Sequence, residues 1–295
     1  MRRILVLAPL CAAFTLLTFG LAACEPDPPQ PGSTQTRFPI VLAEGLFGFD
    51  FFQLPDDLRA GGAMVFETRV DPFSDNVTRG TQLIAQIEGV LAQTGAQKVH
   101  LFAHSQGGLD GRFILATRPE LLASLTQFAS PNTGSAVADF LLPFDDGTLA
   151  FIQGLIGIVG GEPGTPQEFR VALQQLSSDG MTAFNQQFPL GLPTSPCGTG
   201  AASASGVPLF SFIGNMPGTN PGDLSDFVFG LTSLLFGEPN DGLVAVCSGH
   251  FGTVLRDDLQ MNHLDIVNQL NGAIGADSPI DLYRAQAARL VDMGL

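Results

Sequence analysis

Val99-His100-Leu101-Phe102-Ala103-His104-Ser105-Gln106-Gly107-Gly108 is an apolar run that breaks abruptly into a serine set among small residues. A small-x-Ser-x-Gly pattern at the end of a strand puts the serine on a strained strand-to-helix turn, where side chains two positions away have no room. Ala103 and Gly107 hold those two positions. A serine hydroxyl is a weak nucleophile near neutral pH, so the turn means chemistry only if a base, and an acid to orient that base, accompany it.

Both residue types follow downstream. Asp241 lies in Asn240-Asp241-Gly242-Leu243-Val244, a turn beside an apolar run, and His263 lies in Met261-Asn262-His263-Leu264-Asp265. The chain order Ser105, Asp241, His263 is that of the α/β hydrolases. The remaining histidines read as local: His100 falls within a strand, His104 adjoins the serine but points away from a base's position, and His250 sits in a turn.

With 295 residues, 45% hydrophobic and 14% charged, the chain can bury the core of one large α/β domain. Thirteen basic residues stand against 28 acidic ones, a formal charge of −15 that excludes nucleic acid as a partner. The aromatic set is 24 Phe, one Tyr and no Trp, which suits substrates with long apolar parts.

Arg2 and Arg3 precede an almost wholly apolar stretch over 4–21, then Leu21-Ala22-Ala23-Cys24. Residues 1–23 read as an export signal. Leu21-Ala22-Ala23-Cys24 resembles a bacterial lipobox, in which Cys24 receives lipid and becomes the first mature residue; the alternative is ordinary cleavage nearby with Cys24 left free. Residues 24–37, rich in Pro, Gln, Ser and Thr, read as an extended tether leading to a domain over 38–295. Acyl chains on Cys24 would hold that domain to a membrane at roughly 0.8 kcal/mol per buried methylene. Cys11 leaves with the signal, and the two cysteines left, Cys197 and Cys247, fit a disulfide of an exported protein better than any zinc spacing.

Along the domain, strands are expected over 38–43, 63–68, 98–103, 125–129 and 207–214. A glycine-rich loop follows at 44–50, a short helix at 52–60, and a helix over 78–94 with the stripe Leu83, Ile84, Ile87, Val90 and Leu91. The helix over 106–117 aims its N-terminus at Ser105, which favours developing negative charge. Residues 136–161 are apolar but broken by glycines and aspartates, too interrupted for a membrane span. They make a candidate lid over about 136–165, the alternative being a core helix. One or two helices are expected over 167–188, a loop with Cys197 over 189–206, and a helix from Asp223 to about 236.

Taken together, the segments 38–50, 103–108, 130–140, 240–247 and 248–269 resemble the secreted bacterial triacylglycerol lipases of the Pseudomonas and Burkholderia type, over nearly all of 38–295. The resemblance implies an α/β-hydrolase fold: a mostly parallel central sheet, helices on both faces, and an apolar lid insertion. It implies hydrolysis of long-chain acyl esters with Ser105 as nucleophile, His263 as base, Asp241 as its orienting acid, and the backbone N–H groups of Leu46 and Gln106 as the oxyanion hole. It further implies a structural Ca2+ held by the carboxylates of Asp223 and Asp265 and the carbonyls of Gln269 and Ala273, with Asp226 able to stand in for Asp223. A Cys197–Cys247 disulfide, a lipid or ester substrate at an interface and a dedicated membrane-bound foldase complete the expectation. The signal implies export: to the cell envelope, tethered where the better-known relatives are released, or, with Cys24 free, secreted.

Two positions depart from that pattern. Gln106 replaces a histidine but acts through its backbone. Glu44 replaces the histidine before Gly45, and a carboxylate there opposes an oxyanion unless it is protonated, paired or turned outward. Two further readings follow: the same chemistry on a polyester such as a polyhydroxyalkanoate, or a catalytically silent lipid-binding protein.

Overall fold

The computed structural model describes residues 33–158, 161–162, 164–270, 272 and 274–295. The export signal, Cys24, most of the tether and Ala273 lie outside the described residues. Short runs of Val, Ile, Leu and Phe form strands β1 (Ile40–Ala43), β2 (Val65–Thr68), β3 (Val99–His104), β4 (Leu122–Phe128), β5 (Ser203–Ala204), β6 (Val207–Gly214) and β7 (Thr253–Leu259). They make one sheet in the order β2-β1-β3-β4-β6-β5, with β7 also on β6. Every pairing is parallel except the two-residue β5 against the start of β6.

A parallel sheet must be covered on both faces, because its connections cross over it. Alternate residues accordingly enter two separate cores. Val41, Leu101, Leu125 and Leu209 face one core, which also takes Leu83, Ile87 and Val90 of α2 (Asn76–Thr94) and Ile114 and Leu115 of α3 (Gln106–Thr117). Ile40, Leu42, Phe102, Phe128 and Phe212 face the other, together with Leu54 and Leu58 of α1 (Leu54–Ala60). Helices on both faces match the sequence expectation.

Two insertions leave this frame after β4. The first holds α4 (Ala136–Leu141), α5 (Asp146–Ile158), α6 (Pro166–Leu176) and α7 (Ser178–Gln187). A capping box fixes the start of α6: Thr165 accepts from the Glu168 N–H while the Glu168 carboxylate accepts from Thr165. The second insertion, after β6, holds α8 (Leu224–Thr232), whose N-cap is Asp223. The helix expected from Asp223 to about 236 thus ends at Thr232 and continues as a 3-10 turn, Ser233–Leu235.

β7 and the closing helix α9 (Pro279–Asp292) complete the domain. Tyr283 of α9 stacks on Phe128 with ring centroids 4.1 Å apart, and Gln286 donates to Thr126 Oγ1 at 2.9 Å, fastening α9 over β4. Among the described residues no helix is long and apolar enough to cross a membrane.

Candidate active site

The carboxyl ends of β1, β3, β6 and β7 converge, and the connections leaving them carry the candidate residues, as crevices of open parallel sheets do. Ser105 follows β3 directly. Its backbone sits at φ 53° and ψ −125°, a strained conformation for a non-glycine residue, and its N–H donates to the Phe128 carbonyl at 2.9 Å. Glycine at 107 is required by the fold: a Cβ there would lie 2.7 Å from the carbonyl oxygens of Ala43 and Glu44.

The turn after α8 presents Asp241. Its Oδ1 accepts from the backbone N–H groups of Leu243 and Val244 at 2.9 and 2.7 Å, which fixes the carboxylate plane and leaves Oδ2 free to face outward from the turn. His263 follows β7, and its N–H donates to the Asp241 carbonyl at 3.0 Å. The imidazole Nδ1 lies 2.7 Å from Asp241 Oδ2 and Nε2 lies 2.9 Å from Ser105 Oγ. An acceptor at Nδ1 assigns that nitrogen the proton, so Nε2 faces the serine hydroxyl with its lone pair. Side chains as far as 158 residues apart in sequence thus stand in one hydrogen-bonded line.

Leu46 and Gln106 each open a helical turn, so their N–H groups have no intrahelical acceptor. Gly45 brings the two together: a Cβ on it would stand 2.6 Å from Ser105 Cβ and 3.2 Å from the Gln106 nitrogen. Ser105 is only 8% exposed. Ile152 and Ile156 of α5 pack on the core that contains Phe47 and Phe49, while Phe151 is exposed. The Glu162 N–H donates to the Phe47 carbonyl at 2.8 Å, and Arg69 bridges Glu162 and Asp50. A cavity of 630 Å³ lies elsewhere, beside Cys197 and Cys247, and none of the three aligned residues is in its wall.

Glu44 is buried, with one carboxylate oxygen paired and Oε2 without a hydrogen-bond partner among the described residues. Oε1 accepts from the Val70 N–H at 2.8 Å, and the side chain lines a separate 90 Å³ cavity with Asp50, Phe51, Glu67, Thr68 and Arg69. Burial raises its pKa against the pull of the Val70 bond and of Arg79. The carboxylate is compatible with this loop because it is turned to the Val70 N–H and burial biases it toward the neutral form.

Several residues that the sequence reading passed over hold the site. Arg79 of α2 is fully buried; its Nε donates to Asp110 Oδ2 at 3.0 Å and its Nη2 to the Glu44 carbonyl at 2.9 Å, so one guanidinium ties α2, α3 and the 44–48 loop together. Burial lifts the Asp110 carboxyl to about 7 despite that pairing. The signal for it was an arginine on the apolar stripe of a helix, four residues before Leu83. His104 lies with Nε2 3.0 Å from the His263 carbonyl, so that nitrogen is the donor, and burial drives its pKa well down, with His263 adding to the effect.

Asp223 and Asp265 are both buried, and Asp223 Oδ2 and Asp265 Oδ1 have no hydrogen-bond partner among the described residues. Burial pushes Asp265 up to about 7, and the charges of Asp223 and Asp226 add to it. Asp226 is spent instead on the N–H groups of Thr219 and Asn220 and on Asn262 Nδ2. Two orphaned carboxylate oxygens in a buried acidic cluster fit a hard cation, and of the two neighbours it is Asp223 that has an oxygen to give. Cys197 and Cys247 form a disulfide.

No protein-family model matches the chain. Among solved structures it is similar to a Bacillus licheniformis lipase in its mature form, with a TM-score of 0.60 and 22% identity over 82% of this chain and 90% of that one. A metagenomic carboxyl esterase matches with a TM-score of 0.62 and 18% identity over 94% and 83%. The protein therefore has the α/β-hydrolase fold of lipases and esterases. A triacylglycerol lipase of Vibrio cholerae is 43% identical over 285 residues, 90% of this chain and 91% of its own. The triacylglycerol lipase of Pseudomonas fragi is 36% identical, covering 89% and 99%, and that of Burkholderia plantarii 34%, covering 88% and 87%. The chain belongs to the triacylglycerol lipase family and is an enzyme of that family.

Proposed function

We propose that the protein hydrolyses long-chain acyl esters through an acyl-enzyme on Ser105. The observation that carries this is the line Ser105 Oγ, His263 Nε2, His263 Nδ1, Asp241 Oδ2, with gaps of 2.9 and 2.7 Å. Ser105 Oγ attacks the ester carbon as its proton passes to His263 Nε2, and the imidazolium is steadied by Asp241. The carbonyl oxygen takes up negative charge between the N–H groups of Leu46 and Gln106, each worth about 2.7–4 kcal/mol in the transition state. Collapse expels the alcohol, which takes the proton from Nε2; a water then attacks the acyl-serine in the same way, returning the free hydroxyl and releasing the fatty acid.

In this reading about 136–165, with α5 within it, is the lid, supported by the Glu162 N–H bond to the Phe47 carbonyl in the loop that carries Leu46. Asp223, Asp265 and the Gln269 and Ala273 carbonyls would hold Ca2+, which would neutralise the acidic cluster beneath the His263 loop. The export signal, a lipid anchor on Cys24 and a folding helper belong to the same proposal; mass spectrometry of the mature N-terminus and refolding of the mature chain alone test them. The pairing of Glu44 favours a competent site over a silent one. A fluorophosphonate probe is expected to label Ser105 of the folded protein and to leave Ser105→Ala unlabelled. Folded wild-type protein that resists the probe, with no hydrolysis of dissolved or emulsified esters, would sink the proposal.

A further inference from the structure

A surface helix ordinarily turns its apolar stripe inward. α8 does the reverse. Leu224, Phe227, Val228 and Leu231 follow at spacings of three and four, and Leu234 continues the line; Phe227 is 80% exposed, Leu234 78% and Leu224 72%. The inner side is what fastens the helix: Phe229 is buried against Gly242, and Thr232 Oγ1 donates to the Gly242 carbonyl at 2.6 Å. At about 1.5 Å per residue the outward face is roughly 15–18 Å long. It runs on to the exposed Phe140 of α4, which abuts the Ser233–Leu235 turn.

Charge selects what covers it. Asp226, the acid of α8, is turned inward onto Thr219, Asn220 and Asn262. Between Arg170 and Arg256 the chain contains no Lys or Arg, and its formal charge is −15. An anionic surface is repelled by such a protein and finds no cation within Leu224–Leu235 to hold it. We propose that the outward face of Leu224–Leu235 is a docking surface for an uncharged lipid-ester phase, a contact made by an element other than α5. The inference builds on the lipase reading, since the docked surface would be the substrate phase.

The absence of tryptophan makes the test local. Phe227→Trp places a single indole at the middle of the face. In the Cys24→Ser background, so that no acyl chain brings the protein to the surface, its emission in a triolein emulsion stabilised by phosphatidylcholine is expected to shift to the blue and to be quenched when the phosphatidylcholine carries brominated acyl chains. Leu231→Glu combined with Leu234→Glu is expected to lower hydrolysis of emulsified triolein at least about tenfold, because both side chains lose their transfer into hydrocarbon, while hydrolysis of a dissolved short-chain ester stays within about twofold. The proposal is overturned if the indole of the Phe227→Trp variant stays water-exposed while triolein is consumed, or if the double variant works on the emulsion like wild type. It is equally overturned if the indole shifts only with phosphatidylglycerol vesicles, or in lipid-free buffer as protein concentration rises, which would indicate a second copy as the occupant. Quenching of that indole in a protein that hydrolyses no ester would remove the lipase reading and leave the docking surface standing.

Discussion

Gly45→Ala probes the oxyanion loop at its tightest point. The new methyl would lie 2.6 Å from Ser105 Cβ and 3.1 Å from its Oγ, whereas carbon atoms settle at about 3.5–4.0 Å. Ser105 has little freedom to yield, held as it is at φ 53° with its N–H on Phe128. The 44–48 loop must therefore retreat by about 1 Å, carrying the Leu46 N–H with it. A displacement of that size costs on the order of 100-fold, and full loss of one oxyanion donor on the order of 100- to 1,000-fold in kcat. The backbone at Gly45, φ −97°, accepts alanine without strain, so the fold should survive with at most about 1–3 kcal/mol of overpacking. The assay is kcat and KM on a dissolved p-nitrophenyl ester beside the thermal midpoint. Gly89→Ala serves as control, since a Cβ at that position of α2 meets nothing within 4 Å. A folded Gly45→Ala enzyme with kcat within about tenfold of wild type would refute the placement of the oxyanion hole.

The Cys197–Cys247 bridge spans 50 residues, and breaking it with Cys247→Ser should cost about 4 kcal/mol in the chain-entropy account, lowering the midpoint by roughly 10 °C in a thermal scan. Asp110→Ala strands the buried Arg79 charge and should destabilise by about 3–5 kcal/mol in urea titration, whereas Arg79→Met should cost less, because Asp110 can take up a proton and a guanidinium cannot release one. Chelation by EGTA should lower the thermal midpoint in wild type and leave it unmoved in Asp223→Ala; saturation at 100 times Kd corresponds to about 2.7 kcal/mol. Burial holds His100 at about 4, below its unfolded value near 6.5, so the folded chain binds fewer protons than the unfolded one between those pH values. Stability is then fully present above pH 6.5 and falls by about 3 kcal/mol as pH drops toward 4, a slope that His100→Gln should flatten.

What the sequence disclosed and what it withheld divide along a physical line. Local signals sufficed where one short segment determines the outcome: the small residues flanking Ser105, the apolar runs of β1, β3 and β6, the helical stripe of α2. The three aligned side chains could be singled out from local stretches because each sits in a turn whose own residues shape it, as Leu243 and Val244 do for Asp241. The boundaries drifted where tertiary contacts decide them; α8 stops at Thr232, whose hydroxyl is drawn to the Gly242 carbonyl. β7 carries Arg256, Asp257 and Asp258 and lacks an apolar run, so hydropathy alone does not mark it as a strand. The apolar excess of 136–161 leaves Phe140, Phe151 and Leu155 exposed, but the larger outward face belongs to Leu224–Leu235. Composition registers how greasy a helix is; only packing decides which way its stripe turns.

Glu44 follows the same logic one level up. A carboxylate beside an oxyanion hole reads as an obstacle, because sequence gives adjacency and adjacency suggests interaction. Adjacent side chains of extended backbone leave on opposite sides, however, and the Glu44 side chain departs toward Val70 and β2 while the Gly45 backbone faces Ser105. Its carbonyl, not its carboxylate, is what the buried network uses, as the acceptor for Arg79. The charge is thus handled on the far side of the loop by the Val70 N–H and the field of Arg79, with burial favouring the neutral form. It follows that Glu44→Gln, which keeps an acceptor for Val70, should change kcat by less than about threefold, whereas Glu44→Ala leaves that buried N–H unsatisfied at about 1–3 kcal/mol and loosens the loop. A large gain in kcat from Glu44→Gln would show instead that the carboxylate acts on the oxyanion after all.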